Sequence, residues 1–240
     1  MSLRIVLLCL LATLLAACQT SADFQVASEF PIYGNDGKPD LTVDAKRLAA
    51  RMDVVDRYFS ADECALKEGD VGTVGVRRLL QFDVAILNAG DGDLVVGDRS
   101  DPNNIYANLF EYAPCHQHFH INDFSLYELL RASDRSVVAT SRKLGFCFRD
   151  NLDYMGGPSA HYLCTDQGIS SGWADLYARE TDGQWIDITG IPEGDYIVRV
   201  NINVSGSFDE GANRYPNTVE VPVHVPAPGQ PLTGPLAHTP

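Results

Sequence analysis

The sequence is poor in basic residues: its 240 residues include 18 Lys and Arg against 32 Asp and Glu, a formal net charge of −14 at pH 7. Nucleic-acid binders neutralise phosphates with clustered Lys and Arg, so this shortage argues against a nucleic-acid partner. The acidic balance suits a cationic partner, or it serves only solubility. The chain has no internal repeat, and its hydrophobic content of 45% excludes a disordered protein or a repeat-dominated fibre.

Long apolar runs are also scarce, and the one at the amino terminus is typical of an export signal. Arg4 precedes residues 5–17, a run that is too short for a stable bilayer anchor but matches the centre of a signal peptide. Its ending, Leu15-Ala16-Ala17-Cys18, resembles the lipobox of bacterial lipoproteins. That resemblance implies removal of residues 1–17, acylation of Cys18 and contact with a membrane only through the lipid. Gln19 in place of an Asp favours the outer membrane, on the periplasmic or cell-surface side. An ordinary secretory signal with a chance cysteine is the alternative.

The remaining pattern predicts one domain, residues 39–225, between a tether at residues 18–38 and a Pro-rich tail at residues 226–240 that should be disordered. Apolar residues alternate along residues 80–86, 195–204 and 218–225, and Pro222 marks the last run as an edge strand. Several short strands separated by Gly-rich turns predict an all-β fold, an antiparallel sandwich with long loops. Residues 44–57 instead keep helical spacing, which indicates a helix.

Half of the six histidines lie in the segment Cys115-His-Gln-His-Phe-His120. On a strand, His116, His118 and His120 would point to one face. Three imidazoles on one face repel one another when protonated, whereas a shared Cu, Zn, Fe or Ni ion would explain the grouping. A solvent-facing strand with accidental histidine enrichment is the alternative. The spacing alone does not choose the metal.

The histidine segment also opens a series of motifs that resembles the lysyl oxidase family. The motifs occur in the family's order and spacing, over roughly residues 39–222. They are Pro39-Asp-Leu41, Cys115-His-Gln-His-Phe-His-Ile-Asn-Asp-Phe-Ser-Leu-Tyr-Glu-Leu-Leu130, Arg142-Lys-Leu-Gly-Phe-Cys147, Cys164-Thr-Asp-Gln-Gly-Ile-Ser170, Asp175-Leu-Tyr177, Gln184-Trp-Ile-Asp-Ile-Thr189 and Gly194-Asp-Tyr-Ile-Val-Arg-Val-Asn201.

The resemblance implies a copper-dependent amine oxidase. In that family three histidines hold copper, and a lysine and a tyrosine are cross-linked into lysine tyrosylquinone; these positions fall on Lys143 and Tyr177. The implied reaction converts a primary amine and dioxygen into an aldehyde, ammonia and hydrogen peroxide. The quinone serves as the electron sink while a general base removes the α-proton of the substrate. Asp175 is a candidate for that base, although strand alternation could equally make it structural.

Four cysteines, Cys64, Cys115, Cys147 and Cys164, remain after the lipobox, an even number for an oxidising compartment. The resemblance implies a Cys115–Cys164 disulfide. The usual partners of Cys64 and Cys147 are replaced by Asp70 and Asp153, so these two cysteines are left to pair with each other or to remain single.

The family also implies a calcium site near the domain ends. Asp40 matches the family's pattern. Residues 209–217 align less well with that pattern, but they offer the oxygen ligands that calcium prefers. The candidate ligands are Asp40, Asp209, Glu210, Asn213 and Asn217. A polar hairpin loop is the alternative reading of residues 209–217.

Two other hypotheses compete with the oxidase. The domain could capture copper outside the cytoplasm without forming the quinone, or a metal could only stabilise a structural lipoprotein. The presence of both Lys143 and Tyr177 favours the oxidase, because neither alternative needs the two residues together. The natural amine, whether peptidyl lysine, a polyamine or a small monoamine, leaves no sequence signal.

Overall fold

The computed structural model describes residues 36–121, 123–141, 147–155, 159–212 and 214–232. The signal segment, Cys18, Lys143 and Asn213 lie outside the described residues. Within the described ranges, no helix has the length and apolar character that crossing a bilayer requires.

The described chain is built mainly of short strands. The helices are α1 Ala45–Ala50, α2 Cys64–Lys67 and a 3-10 turn at Ala107–Leu109. The strands are β1 Leu41–Val43, β2 Met52–Phe59, β3 Gly75–Phe82, β4 Val84–Asn88, β5 Leu94–Gly97, β6 Phe110–Ala113, β7 His118–Ile121, β8 Ser125–Arg131, β9 Val137–Thr140, β10 Leu152–Asp153, β11 Gln167–Ile169, β12 Trp173–Tyr177, β13 Trp185–Asp187, β14 Gly194–Ile202 and β15 Thr218–Val225.

Two four-stranded sheets, in the orders β1-β4-β12-β10 and β15-β14-β8-β9, share one apolar core. Ile86 of β4 and Val200 of β14 both belong to it, and β1 contacts β14 and β15. A three-stranded sheet, β13-β3-β2, extends the same core, and β11-β5 and β6-β7 form two-stranded pairs. All of these strand pairs are antiparallel. The predicted all-β antiparallel sandwich is therefore confirmed.

The strands β14 and β15 follow the predicted alternation closely. Val219, Val221, Val223 and Val225 are buried on one face of β15, and that strand is the edge that Pro222 predicts. The prediction for β14 is wrong only at its end. The strand stops at Ile202 because Asn203 adopts a left-handed backbone (φ 48°), which leaves Val204 exposed.

The alternating run at residues 80–86 forms parts of two strands. Asp83, between β3 and β4, is buried and pairs with Arg47 at 3.0 Å and Arg51 at 3.5 Å. Every residue of β4 is buried, because Val84 and Ile86 face the main core while Ala85 and Leu87 face a second cluster. In β4, large and small side chains alternate along the sequence, but both faces of the strand are buried.

The helix predicted at residues 44–57 is wrong beyond its first two turns. Asp44 caps α1 by accepting a hydrogen bond from the Arg47 N–H at 2.9 Å, and Leu48 is buried. From Met52 onward the chain pairs with β3 instead. Long-range strand pairing there overrides a helical spacing that includes the β-branched pair Val54 and Val55.

Both predicted flanking segments make contacts with the domain where they are described. At the end of the tether, Lys38 accepts a backbone hydrogen bond from Gly92 at 3.1 Å and pairs with Asp209 at 2.7 Å. At the start of the tail, Arg78 donates to the Ala227 carbonyl at 2.8 Å, and Leu232 packs against the main core. Ala227 and Leu232 therefore contact the domain, residues 228–231 are exposed, and the disorder of the tail stays a prediction.

The predicted Cys115–Cys164 disulfide is wrong, and so is the Cys64–Cys147 alternative. The structure pairs Cys64 with Cys115 and Cys147 with Cys164, with Cα–Cα distances of 5.6 and 5.3 Å. Both distances lie within the usual disulfide range, which leaves no cysteine for the expected pair. The fold explains this pairing. The helix α2, which begins at Cys64, lies against the turn before β7 that contains Cys115. Cys164 instead lies beside Cys147, because Gln167 bonds both the Cys164 carbonyl and the Phe148 N–H.

Replacing both cysteines of one pair with Ser should destabilise the two variants unequally. Loss of Cys64–Cys115, which spans 51 residues, should lower the free energy of unfolding by about 4 kcal/mol, and loss of Cys147–Cys164, which spans 17, by about 3 kcal/mol. Urea unfolding of the oxidised proteins measures this difference. A non-reducing peptide map that joined Cys115 to Cys164 would contradict the pairing.

Candidate metal centre and candidate cofactor tyrosine

The histidines lie on a β-hairpin formed by β6 and β7. Four residues, 114–117, connect the strands, and Gln117 adopts the left-handed backbone (φ 59°) that lets the chain reverse. His118 and His120 alternate to one face of β7, as predicted. His116 does not belong to the strand, however: its N–H bonds the Ala113 carbonyl within the connecting turn.

The opposite face of the hairpin is aromatic. The Phe119 ring lies 5.0 Å from the Tyr112 ring and beneath the Arg99 guanidinium, which is 4.0 Å from the ring centroid. A cation over an aromatic face is attracted by the ring quadrupole. These contacts fix which way β7 faces and leave the histidine side open.

The three imidazoles converge. One ring nitrogen from each of His116, His118 and His120 lies within 4.8 Å of the others, and the Nε2 atoms of His118 and His120 are 2.9 Å apart. His118 Nδ1 lies 3.0 Å from the His116 carbonyl, a contact that places the proton on Nδ1 and leaves Nε2 as a lone-pair donor. Neutral imidazole nitrogens grouped in this way fit a copper, zinc, iron or nickel ion.

Glu68 is a site residue that the sequence analysis missed. Its Oε2 lies 3.6 Å from His116 Nδ1, and its Oε1 is buried without a hydrogen-bond partner in the described chain. Carboxylates that contact a metal-binding imidazole orient the ring. Glu68 ends α2, and the Cys64–Cys115 disulfide ties α2 to the residue before His116. In the sequence, the one feature that could have indicated a role for Glu68 is its position four residues after Cys64.

Tyr177 lies at the end of β12 with its hydroxyl held by the main chain of Cys147. The hydroxyl donates to the Cys147 carbonyl and accepts from the Cys147 N–H, both at 2.9 Å. Burial, followed by the charge of Asp175, raises the pKa of Tyr177 well above its ordinary value. Cys147 follows Lys143 by four positions. The Tyr177 hydroxyl is therefore bonded to a residue that is close in sequence to Lys143, its predicted cross-linking partner.

Asp175, two residues earlier on β12, is 1% exposed. Its Oδ1 accepts a hydrogen bond from Asn151 at 3.1 Å. Its Oδ2 is buried without a partner of normal geometry in the described chain, although the Tyr177 hydroxyl is close enough to interact with the carboxyl. Burial raises the pKa of Asp175 to about 8, against the opposing effects of Tyr177, Arg149 and Asn151.

The structure brings together part of the predicted calcium set. Glu210 accepts from the Leu41 N–H at 2.7 Å and from the Asn217 amide at 2.6 Å, and Asp40 accepts from the Arg214 N–H at 2.7 Å. These carboxylates are satisfied by N–H donors. Asp209 does not join them, because it forms an exposed ion pair with Lys38. A calcium ion here therefore stays a prediction, and Asp209 is its weakest ligand.

Asp175→Asn should change how stability depends on pH in the metal-free protein. A carboxyl that titrates near pH 8 when folded and near 3.8 when unfolded binds more protons in the native state, so its contribution to stability falls as pH rises between these values. The variant should exceed the wild type by at least about 2 kcal/mol at pH 9, since a tenfold change in an ionisation constant is worth about 1.4 kcal/mol.

Urea unfolding at pH 5, 7 and 9 measures this difference between the two proteins. The gain should grow up to about pH 8 and then level off. Parallel stability curves for the two proteins would contradict an elevated pKa at Asp175.

Known proteins resemble this chain over most of the domain. The family model for lysyl oxidase matches residues 39–222. Protein-lysine 6-oxidase of Gallus gallus is 36% identical over 186 residues, which cover 72% of this chain and 42% of that protein. Lysyl oxidase homolog 1 of Homo sapiens is 33% identical over 185 residues, which cover 72% of this chain and 31% of that protein. The protein-lysine 6-oxidase of Sus scrofa is 35% identical over 186 residues, with 72% and 71% covered.

This chain spans about two fifths of the Gallus protein and less than a third of human homolog 1. The matched region nevertheless contains β1 to β14, the histidine hairpin and Tyr177. The chain belongs to the lysyl oxidase family.

Proposed function

We propose that this protein is a copper-dependent amine oxidase. It converts primary amines, either peptidyl lysine or small amines and polyamines, with dioxygen and water into aldehydes, ammonia and hydrogen peroxide. The convergence of three imidazole nitrogens within 4.8 Å, in a chain of the lysyl oxidase family, is the observation that carries this proposal.

The three converging imidazoles suit copper. His116, His118 and His120 would hold the ion, with Glu68 orienting His116 and the His116 carbonyl fixing the proton of His118. When bound, the copper supplies redox chemistry with dioxygen. His118 is exposed and the other two imidazoles are half-buried, so both the ion and dioxygen can reach the hairpin from solvent.

The organic cofactor in this proposal is lysine tyrosylquinone, made from Lys143 and Tyr177. Two observations support it: both residue types stand at the positions the family motifs require, and the Tyr177 hydroxyl is fixed beside Cys147. Lys143 must lose its proton to act as a nucleophile, so its pKa has to be lowered by burial or by a nearby positive ion.

The location is proposed from the amino terminus. Acylation of Cys18 would anchor the domain to the outer membrane, with the domain in the periplasm or at the cell surface. The two disulfides support an oxidising compartment of this kind.

Replacing any one of His116, His118 or His120 with Ala should abolish tight copper binding, since two nitrogens cannot hold the geometry of a three-nitrogen site. Glu68→Gln should weaken copper binding by roughly 10- to 100-fold, because it loses a group that orients a ligand. Isothermal titration of copper into the metal-free protein measures both effects. His224→Ala, which removes a histidine of β15 paired with Asp195, is the matched control and should bind normally. Full stoichiometry in all three site variants would place the ligands elsewhere.

Protein prepared with copper and oxygen should yield, on digestion, a peptide in which Lys143 is covalently joined to the Tyr177 ring. Lys143→Arg should abolish the cross-link and leave copper bound, because Arg stays charged at any working pH. Tyr177→Phe should do the same, since its ring lacks the oxygen from which the quinone is built. Mass spectrometry of the digest, with redox staining for the quinone, measures this.

Tyr112→Phe is the matched control for the tyrosine variant, because it removes another hydroxyl from a partly exposed ring. It should keep the cross-link. If the copper-loaded wild type shows only unmodified peptides and oxidises no primary amine, copper binding without catalysis replaces the oxidase.

A further inference from the structure

Residues 147–151, here called the Cys147 segment, run between strand β12 and a facing stretch, residues 161–170. On the β12 side, Cys147 bonds the Tyr177 hydroxyl through both its N–H and its carbonyl. On the other side, Phe148 bonds the facing stretch through its N–H at 3.1 Å and its carbonyl at 3.3 Å. Successive residues of an extended chain point their main-chain groups to opposite sides. The bonds of Phe148 to the facing stretch therefore direct the N–H and carbonyl of Cys147 toward Tyr177.

Asp150 holds the Cys147 segment to the facing stretch. Its carboxylate accepts from the N–H groups of His161 at 2.8 Å and Tyr162 at 3.2 Å. It also accepts from the N–H of Ser170 at 2.8 Å and from the hydroxyl of Ser170 at 2.6 Å. The Asp150 N–H donates to the Tyr162 carbonyl at 3.1 Å, and the residue is 7% exposed. Hydrogen bonds to a charged group are stronger than those between neutral groups, so four of them hold this carboxylate firmly in one orientation.

The disulfide between Cys147 and Cys164 joins the same two stretches but does not replace these bonds. It connects the two main chains through side-chain bonds, which adopt several staggered rotamers. The disulfide alone therefore does not fix the direction of the Cys147 N–H and carbonyl. Asp150 instead restrains the main chain itself, through its own N–H and through its carboxylate.

Both residues of the proposed quinone depend on the Cys147 segment. The Tyr177 hydroxyl is bonded to it directly. Lys143 precedes Cys147 by four positions, and four residues of chain span at most about 14 Å. A fixed Cys147 therefore orients one reactant and limits how far the other can lie from it.

We propose that Asp150 is a positioning residue for the formation of the Lys143–Tyr177 cross-link, an inference that rests on the proposed function. The Asp150 carboxylate forms no covalent bond and transfers no proton in this role. It holds the main chain of Cys147 in the direction that orients the Tyr177 ring. Reactions between two positioned groups are sensitive to placement, and a displacement of about 1 Å costs roughly 100-fold in rate.

Three variants separate this role from a general role in packing. Asp150→Asn keeps the shape of the side chain but replaces one accepting oxygen with an N–H donor, which then meets the N–H groups of the facing stretch. Asp93→Asn is the matched control. Asp93 accepts from the Ser171 N–H at 2.9 Å and the Tyr162 hydroxyl at 3.2 Å, so it holds the same region without bonding the Cys147 segment in the described chain. Ser170→Ala is a milder variant that removes one of the four donors to Asp150.

Hydrogen exchange of the metal-free proteins, measured by NMR below their melting temperatures, follows the position of Cys147 directly. Asp150→Asn should speed exchange of the Cys147 N–H, the group that donates to Tyr177, by roughly 10-fold or more, because the bonds to a buried charged group are lost. Asp93→Asn should leave this exchange unchanged.

Cross-link formation is then followed in copper-containing, aerated buffer by quantifying the Lys143–Tyr177 peptide over time. Asp150→Asn should bind copper with wild-type stoichiometry but form the cross-link roughly 100-fold more slowly. Ser170→Ala should be slowed less, and Asp93→Asn should react at the wild-type rate. Thermal unfolding of the same samples shows which variants are folded. If Asp150→Asn does not fold, Ser170→Ala decides: a slowed cross-link supports the inference, and a wild-type rate overturns it.

A wild-type rate of cross-linking in folded Asp150→Asn, or wild-type exchange at the Cys147 N–H, would overturn the inference and leave the oxidase intact. Equal slowing in Asp93→Asn would also overturn it, in favour of a general packing role for this region. If the wild type itself forms no cross-link, the proposed function and this inference fall together.

Discussion

The pair of hydrogen bonds between the Tyr177 hydroxyl and the main chain of Cys147 is the constraint on which the rest of the site depends. The hydroxyl donates one bond and accepts the other, so it cannot turn toward a new partner without losing one of them. Tyr177 belongs to a core strand, and Cys147 is cross-linked to Cys164. The phenol is therefore positioned from the sheet on one side and from a disulfide-bonded segment on the other.

Each disulfide lies next to one half of the centre. Cys64–Cys115 adjoins His116 and brings Glu68 to it, whereas Cys147–Cys164 adjoins Tyr177. The two halves differ in environment: His118 is exposed and the other two imidazoles are half-buried, whereas Tyr177 is partly buried against the core. The histidine side is therefore accessible to an ion from solvent, whereas the Tyr177 hydroxyl is held by the main chain of Cys147.

The sequence predicts well those features that depend on the two-residue repeat of a strand. The alternation in β15, the edge position of Pro222 and the shared face of His118 and His120 all follow from the period of a strand. The sequence does not show what covers a face, so the double burial of β4 and the strand at Met52–Phe59 were missed. The pairing of four cysteines depends on distances across the fold, and for the same reason Glu68 was not foreseen.

The histidine hairpin and the strand that carries Tyr177 differ in how many strands they pair with, and this difference affects how each responds to an ion. In the described chain β6 and β7 pair only with each other, and an isolated two-stranded ribbon is the least stable form of sheet. The strand that carries Tyr177 is instead hydrogen-bonded to β4 and β10. The imidazoles can therefore adjust to the geometry an ion prefers while the phenol and Asp175 stay fixed. Because the imidazoles and Tyr177 lie on different sheets, binding an ion need not disturb the two hydrogen bonds between the Tyr177 hydroxyl and the main chain of Cys147.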